Sequence, residues 1–369
     1  MKCDGMLTIA ICLLGSTIAL GEGQASPAGA EVPLQGHQDP TEAALLAKCK
    51  TQLQHSQEGG APRGLQGRGS VPGQGNGKRP PGPREYMVTE IPGVIAAAQH
   101  WRFIWQEMGN NGDGIVGSPD GGLLIAQSDN SRVVKLDNDG NASVVYTDTK
   151  HVGALSMNSK GTLFMLERGL NPSVVELAPD HKILADTYQD EPMVCIGGVL
   201  NDLVAESKGG VYFTMGGLYY ANPVGQITRY GENLHTNGII LSPNEDILYV
   251  TNGTTVAAFD VQFDGSLTNQ REFGKLEGGG VGDGSTIDAA GRVYITTNPG
   301  VQVISPEGKY LGLIPTPRAV ISVAFSGPDK KTLYILAKGA KNAEGDEIAN
   351  AAQVYSISMT AQGFTKRAK

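Results

Sequence analysis

The chain has 369 residues, 40% hydrophobic and 18% charged, a balance that suits a globular protein with a real core. A formal net charge of −8, from 29 basic and 37 acidic residues, argues against a nucleic-acid partner, because phosphate contacts need a basic surface. The 51 glycines and 20 prolines point to numerous turns and hence to many short strands.

The N-terminus has the pattern of an export signal over residues 1–30. Lys2 supplies the positive start, residues 6–20 form a largely apolar run, and Ala28-Gly29-Ala30 is a small-x-small cleavage pattern. The run is shorter than the about 20 residues of a membrane span, so the protein is expected to be secreted or periplasmic, with no stable span after cleavage. The alternative is an uncleaved anchor. Cys49 and Cys195 would then remain, and they could pair in an oxidising compartment. Cys195, in the apolar stretch Met193–Ile196, reads better as a core residue, and the pairing stays open.

Residues 31–84 read as a linker. One short helix is expected over 41–54, capped by Thr41, with Leu45, Leu46, Cys49 and Leu53 on one side. Residues 57–84 are rich in Gly, Pro, Gln and Arg and too poor in large apolar side chains to offset their ordering entropy, so this part is expected to be disordered. The basic clusters of the chain are Lys78, Arg79 and Arg84 here, and Lys366, Arg367 and Lys369 at the end.

From residue 85 onward a phrase repeats: a short apolar strand, a turn, a second strand. The turns are Ser118-Pro119-Asp120-Gly121, Asn158-Ser159-Lys160-Gly161, Glu206-Ser207-Lys208-Gly209, Ser242-Pro243-Asn244-Glu245, Asp288-Ala289-Ala290-Gly291 and Gly327-Pro328-Asp329-Lys330. Their mean spacing is about 42 residues, the size of a four-stranded propeller blade, and long helix signals are absent. The fold class is therefore all-β, a six-bladed β-propeller over 85–369, preceded by the signal peptide and linker.

In a propeller the innermost strands line one axis, so residues at one offset in each copy meet in a ring. Six residues before each turn landmark stand Asp113, Gly153, Asn201, Asn237, Asp283 and Ser322. Oxygen ligands converging from separate blades make a site for a hard cation, and a dication removes the repulsion between two close carboxylates. An Asx-Gly pair taken singly is more often a strand-entry turn than a ligand. Four Asx residues at one shared offset shift that balance.

These residues also carry a family resemblance. The run that opens Asn237-Gly238-Ile239-Ile240-Leu241-Ser242-Pro243 and continues to Thr251 resembles a signature of the senescence marker protein/gluconolactonase/luciferin-regenerating enzyme family. Gly282-Asp283-Gly284, Ile287-Asp288, Gly291-Arg292-Val293-Tyr294 and Gly300-Val301 resemble a second signature, Asn201-Asp202-Leu203 a third, and residues 118–125 the first blade. The resemblance spans about 90–358. It implies a six-bladed propeller with one metal in the channel and, for many members, lactonase activity. By that resemblance Asp113, Asn237 and Asp283 are metal ligands, Asp283 is also the candidate general base, and Asn201 contacts substrate. The implied cofactor is one divalent cation, Ca²⁺ first, with Mg²⁺, Mn²⁺ or Zn²⁺ as alternatives. The pattern departs at three places. Asp113 stands where Glu is usual, Val199 where some animal members carry a substrate-binding Arg, and Ser322 where Asn is frequent; sugar-lactone specificity is left open.

The expected activity is metal-assisted opening of a small lactone or ester. Two other classes remain: a non-catalytic propeller that binds a ligand or protein, and an aryl ester or phosphotriester hydrolase on the same ring. No Gly-x-Ser-x-Gly elbow is present. Asp137-Asn138-Asp139-Gly140-Asn141 looks like the start of a calcium loop but has Ala142 where glycine is needed, so it reads as a blade turn. His235 is a candidate for the channel mouth. Trp101 and Trp105 read as a strand edge packed under the propeller, Glu167 and Arg168 as a surface pair, and residues 215–223 as a loop over the channel.

Overall fold

Each repeat folds into a four-stranded antiparallel sheet, giving six such sheets. Their innermost strands are Gly112–Gly117, Val152–Met157, Leu203–Ala205, Thr236–Leu241, Ser285–Ile287 and Val320–Ser326. The second strands, such as Leu123–Gln127, Leu163–Glu167 and Val293–Thr297, are buried along their whole length. Neighbouring blades cover both of their faces, which is why these segments read as continuous apolar runs. Outer strands such as Ala142–Tyr146 are largely exposed.

The computed structural model describes residues 40–50, 83–108 and 112–369, all within one compact unit, Pro40–Lys369. The signal expected over 1–30 and most of the expected linker lie outside the described residues. Among the described residues no helix is long and apolar enough to cross a membrane.

The turn landmarks share a backbone conformation. Gly121, Gly161, Gly209 and Gly291 have positive φ, and Glu245 and Lys330 take the same left-handed conformation in blades four and six. Glu245 is held there from both sides: its carboxylate accepts from Ser207 N and Oγ (3.0 and 2.7 Å) and pairs with Arg367 at 3.0 Å.

Blade six is closed by the earliest strand, Arg102–Met108, which pairs antiparallel with Glu347–Ser358. Trp105 therefore belongs to the sheet of blade six, while Trp101, just before that strand, is buried among residues of blades five and six and its indole donates to Pro315 O at 2.8 Å. Residues 215–223 are not loop throughout: Leu218–Ala221 is the third strand of blade three and is buried.

The helix is Pro40–Leu46, shorter than its expected span. Past it, Cys49 forms a disulfide with Cys195, 146 residues away. Cys195 is buried as expected, and its partner is the cysteine of the N-terminal segment. Lys50 N adds a 3.0 Å bond to the Glu191 carboxylate.

After the last strand the chain crosses the turn end of the channel. Phe364 N donates to Ile287 O at 3.2 Å, Ala368 exchanges two backbone hydrogen bonds with Met157, and Thr286 Oγ1 donates to Lys369 O at 2.6 Å. Arg367 and Lys369, counted as a basic cluster in the sequence, are buried here rather than displayed. Arg367 bonds Glu245 and the carbonyls of Leu241 and Ser242, and Lys369 pairs with Asp202.

Candidate active site in the channel

The ring offset brings together the residues it selected. Asp113, Asn201, Asn237, Asp283 and Ser322 line one small cavity, open to solvent, with Gly114, Ala154, Asp202, Gly284 and Ile321 completing its wall. His235 is exposed and is not part of this lining.

The glycines that follow three ring residues have a packing reason. A Cβ on Gly238 would strike the carbonyl oxygen of Asp283 in the next blade. One on Gly284 would lie 2.7 Å from Ile321 O, and one on Gly114 3.0 Å from Ala154 Cα. Ring residues of adjacent blades approach backbone to backbone, and only glycine leaves room.

Short side chains then bond blade to blade. Ile115 N donates to Ser322 Oγ at 3.1 Å, Ala205 N to Ser156 Oγ at 3.0 Å and Ile239 N to Asp202 Oδ2 at 3.2 Å, while Thr214 Oγ1 donates to Asn237 O at 2.6 Å. Ser322, which stands where Asn is frequent, thus joins blade six to blade one.

Gly153 contributes no side chain, and Arg168 fills its place. This residue follows the second strand of blade two, and its guanidinium turns into the channel. Nη1 pairs with Asp113, Nε donates to Leu200 O at 2.6 Å and Nη2 to Asn201 O at 3.1 Å. The expected surface pair of Glu167 and Arg168 is therefore corrected: Glu167 is buried and bonded by Ser173 Oγ at 3.0 Å, and Arg168 belongs to the ring. The one ring position lacking a side chain was the available signal that another group must enter there.

Electrostatics single out Asp283. Burial and then the Asp113 charge push its carboxyl up to about 7, while Lys338 and a hydrogen bond from Asn237 pull the other way. The residue is only half-buried by exposed area, so water at the mouth of the cavity tempers the desolvation. Asp113 is paired with Arg168 and Asp202 with Lys369; Asp283 makes no ion pair among the described residues.

These donors fit a hard cation. Three carboxylates, of which Asp202 is taken up by Lys369, and two carboxamides line one cavity, and a dication would favour the charged form of Asp283 that burial disfavours. Among the described residues no three His, Cys, Asp or Glu side chains converge on one point, so such an ion would draw on the asparagines and on water.

The profile of the SMP-30/Gluconolactonase/LRE-like region matches residues 112–339. The chain belongs to this family. Two curated members are similar to it in sequence: a gluconolactonase of Zymomonas mobilis, 29% identical over 168 residues (37% of this chain and 47% of the relative), and the pentonolactonase XacC of Haloferax volcanii, 25% identical over 257 residues (64% and 86%). The match to the first thus spans about half of that relative's length. Among solved SMP-30-like structures, a gluconolactonase from Xanthomonas campestris superposes with a TM-score of 0.60 at 20% identity, covering 78% of this chain and 99% of the other. A luciferin-regenerating enzyme gives 0.58 at 18% identity, covering 72% and 97%. Both likenesses establish the shared propeller.

Proposed function

We propose that the protein opens a small lactone by metal-assisted hydrolysis in this cavity. The observation that carries the reading is the convergence of Asp113, Asn201, Asn237 and Asp283, from four blades, on one opening. The lactonase names of its curated relatives add support. Asp113, Asn237 and Asp283 are assigned to hold a divalent cation, with Ca²⁺ favoured because every donor is a hard oxygen; a propeller from Agrobacterium tumefaciens with a TM-score of 0.55 is described as the calcium-binding protein regucalcin. When bound, such a cation would polarise the lactone carbonyl and offset charge developing on its oxygen.

The chain's own residues do the remainder. Asn201 positions the substrate through its carboxamide. Asp283 takes the proton of the attacking water; a carboxylate beside a cation is a weak base, so the cation, when bound, would have to lower the pKa of that water for the transfer to run near neutral pH. The water oxygen bonds to the carbonyl carbon, the ring C–O bond breaks, and the proton passes to the released alkoxide. Water attacks the carbonyl carbon directly, so no covalent acyl intermediate forms.

The test is a panel of lactones, aryl esters and phosphotriesters, assayed with and without chelator. Chelator-sensitive lactone turnover that disappears in Asp283→Ala is expected. Turnover of the other esters alone would assign a different hydrolase to the ring. Ligand binding without turnover would make the propeller a binding module, and full activity in Asp283→Ala would remove that residue from the chemistry. A secreted or periplasmic location is proposed with this activity, because a disulfide such as Cys49–Cys195 persists in an oxidising compartment.

A further inference from the structure

We propose that Arg168 is a built-in counter-ion of the ring and that a divalent cation entering the site competes with it for Asp113. The inference rests on the metal reading above and adds what sets the strength of that binding.

Three observations carry it. First, the guanidinium occupies the space left at the ring's only glycine. A Cβ at residue 153 would overlap Nε and Cζ of Arg168 and lie 2.7 Å from Nη2. Second, the group is fixed by directed bonds to Asp113, Leu200 O and Asn201 O, and its side chain is only 17% exposed. Its backbone N is bonded to Lys150 O at 3.1 Å, which sets where the side chain starts. Third, the partner is Asp113, one of the two carboxylates assigned to the cation.

An arginine keeps its charge at every accessible pH. It therefore presents a permanent positive charge where a dication would approach. A cation that takes Asp113 as ligand must share or replace the guanidinium's hold on that carboxylate, and it meets like-charge repulsion at close range. The arginine thereby lowers affinity for the ion while keeping Asp113 in position. The ring's glycine and the arginine one blade-strand later act as one device: the first leaves the passage, the second fills it.

The experiment is calorimetric titration of the full chain with calcium chloride, with magnesium and manganese chlorides as parallel arms, after chelator treatment. Wild type is compared with Arg168→Gln and Gly153→Ala. The first variant removes the charge. The second keeps it, and its new methyl drives the guanidinium off Asp113. Arg168→Gln is expected to bind the ion about tenfold or more tightly than wild type, with Gly153→Ala shifted in the same direction. Equal or weaker affinity in Arg168→Gln would overturn the proposal, while wild-type binding would leave the metal reading standing. No binding by any of the three proteins would overturn both. Circular dichroism checks folding, and should Arg168→Gln not fold, Gly153→Ala decides alone: tighter binding supports the competition and unchanged or weaker binding ends it.

Discussion

The ammonium group of Lys369, the final residue of the chain, pairs with the carboxylate of Asp202 inside the channel. Asp202 also accepts from Leu203 N at 2.9 Å and Ile239 N at 3.2 Å, and it lines the cavity that holds the ring. The C-terminal segment is therefore part of the floor beneath the site. Lys369→Ala leaves a buried carboxylate without its counter-charge and is expected to cost about 3 kcal/mol. Urea denaturation measures this, and the double variant Asp202→Asn/Lys369→Met should recover most of the loss. A single Lys369→Ala indistinguishable from wild type would show that the pair contributes nothing.

The raised pKa of Asp283 has a signed consequence for stability. Its folded value of about 7 lies above the ordinary 3.8, so the folded state binds the proton more tightly. That contribution is fully present below about pH 4 and is lost as pH rises to about 7. In chelator, wild type should show this decline in its denaturation midpoint and Asp283→Asn should lack it. Added cation should flatten the wild-type profile by favouring the carboxylate. A chelated wild type whose profile matches that of Asp283→Asn across this window would contradict the assignment.

Gly238→Ala tests the close approach between blades four and five. The added methyl meets the Asp283 carbonyl oxygen, and backbone cannot yield as a flexible side chain can. The expected cost is about 2 kcal/mol, with loss of lactone turnover as Asp283 shifts. Thermal denaturation and a turnover assay on one preparation check both parts, and normal turnover in a stable variant would break the link.

Reducing Cys49–Cys195 should lower stability by about 2–4 kcal/mol, because the bond closes a loop spanning 146 positions. The Cys49→Ser/Cys195→Ser variant should match the reduced wild type and be insensitive to dithiothreitol. Equal midpoints for oxidised and reduced wild type would deny the bond a stabilising role.

The blades were legible because a period shows itself. Six turns at near-equal spacing announce six sheets, and the shared offset then selects Asp113, Asn201, Asn237, Asp283 and Ser322 for one cavity. Groups that break the period were hidden. Arg168 enters from the end of a second strand, outside the offset that selects the ring, so its neighbour Glu167 looked like its natural partner. Lys369 follows the last repeat, where no pattern indicates a return into the channel. Cys49 and Cys195 carried no spacing rule that would join them, since the contact is created by how the N-terminal segment meets the connection between blades two and three. Trp105 was read as part of a strand edge, but its place in blade six depends on pairing with a segment some 250 positions later.

That last pairing sets an order of events during synthesis. Arg102–Met108 leaves the ribosome before any blade, yet its partner Glu347–Ser358 is made after five blades are complete. Until then the nascent protein carries open sheet edges at the gap, which are templates for joining another chain. Interrupting translation after blade five should therefore release an aggregation-prone arc, whereas a chain extended past the sixth blade can seal itself.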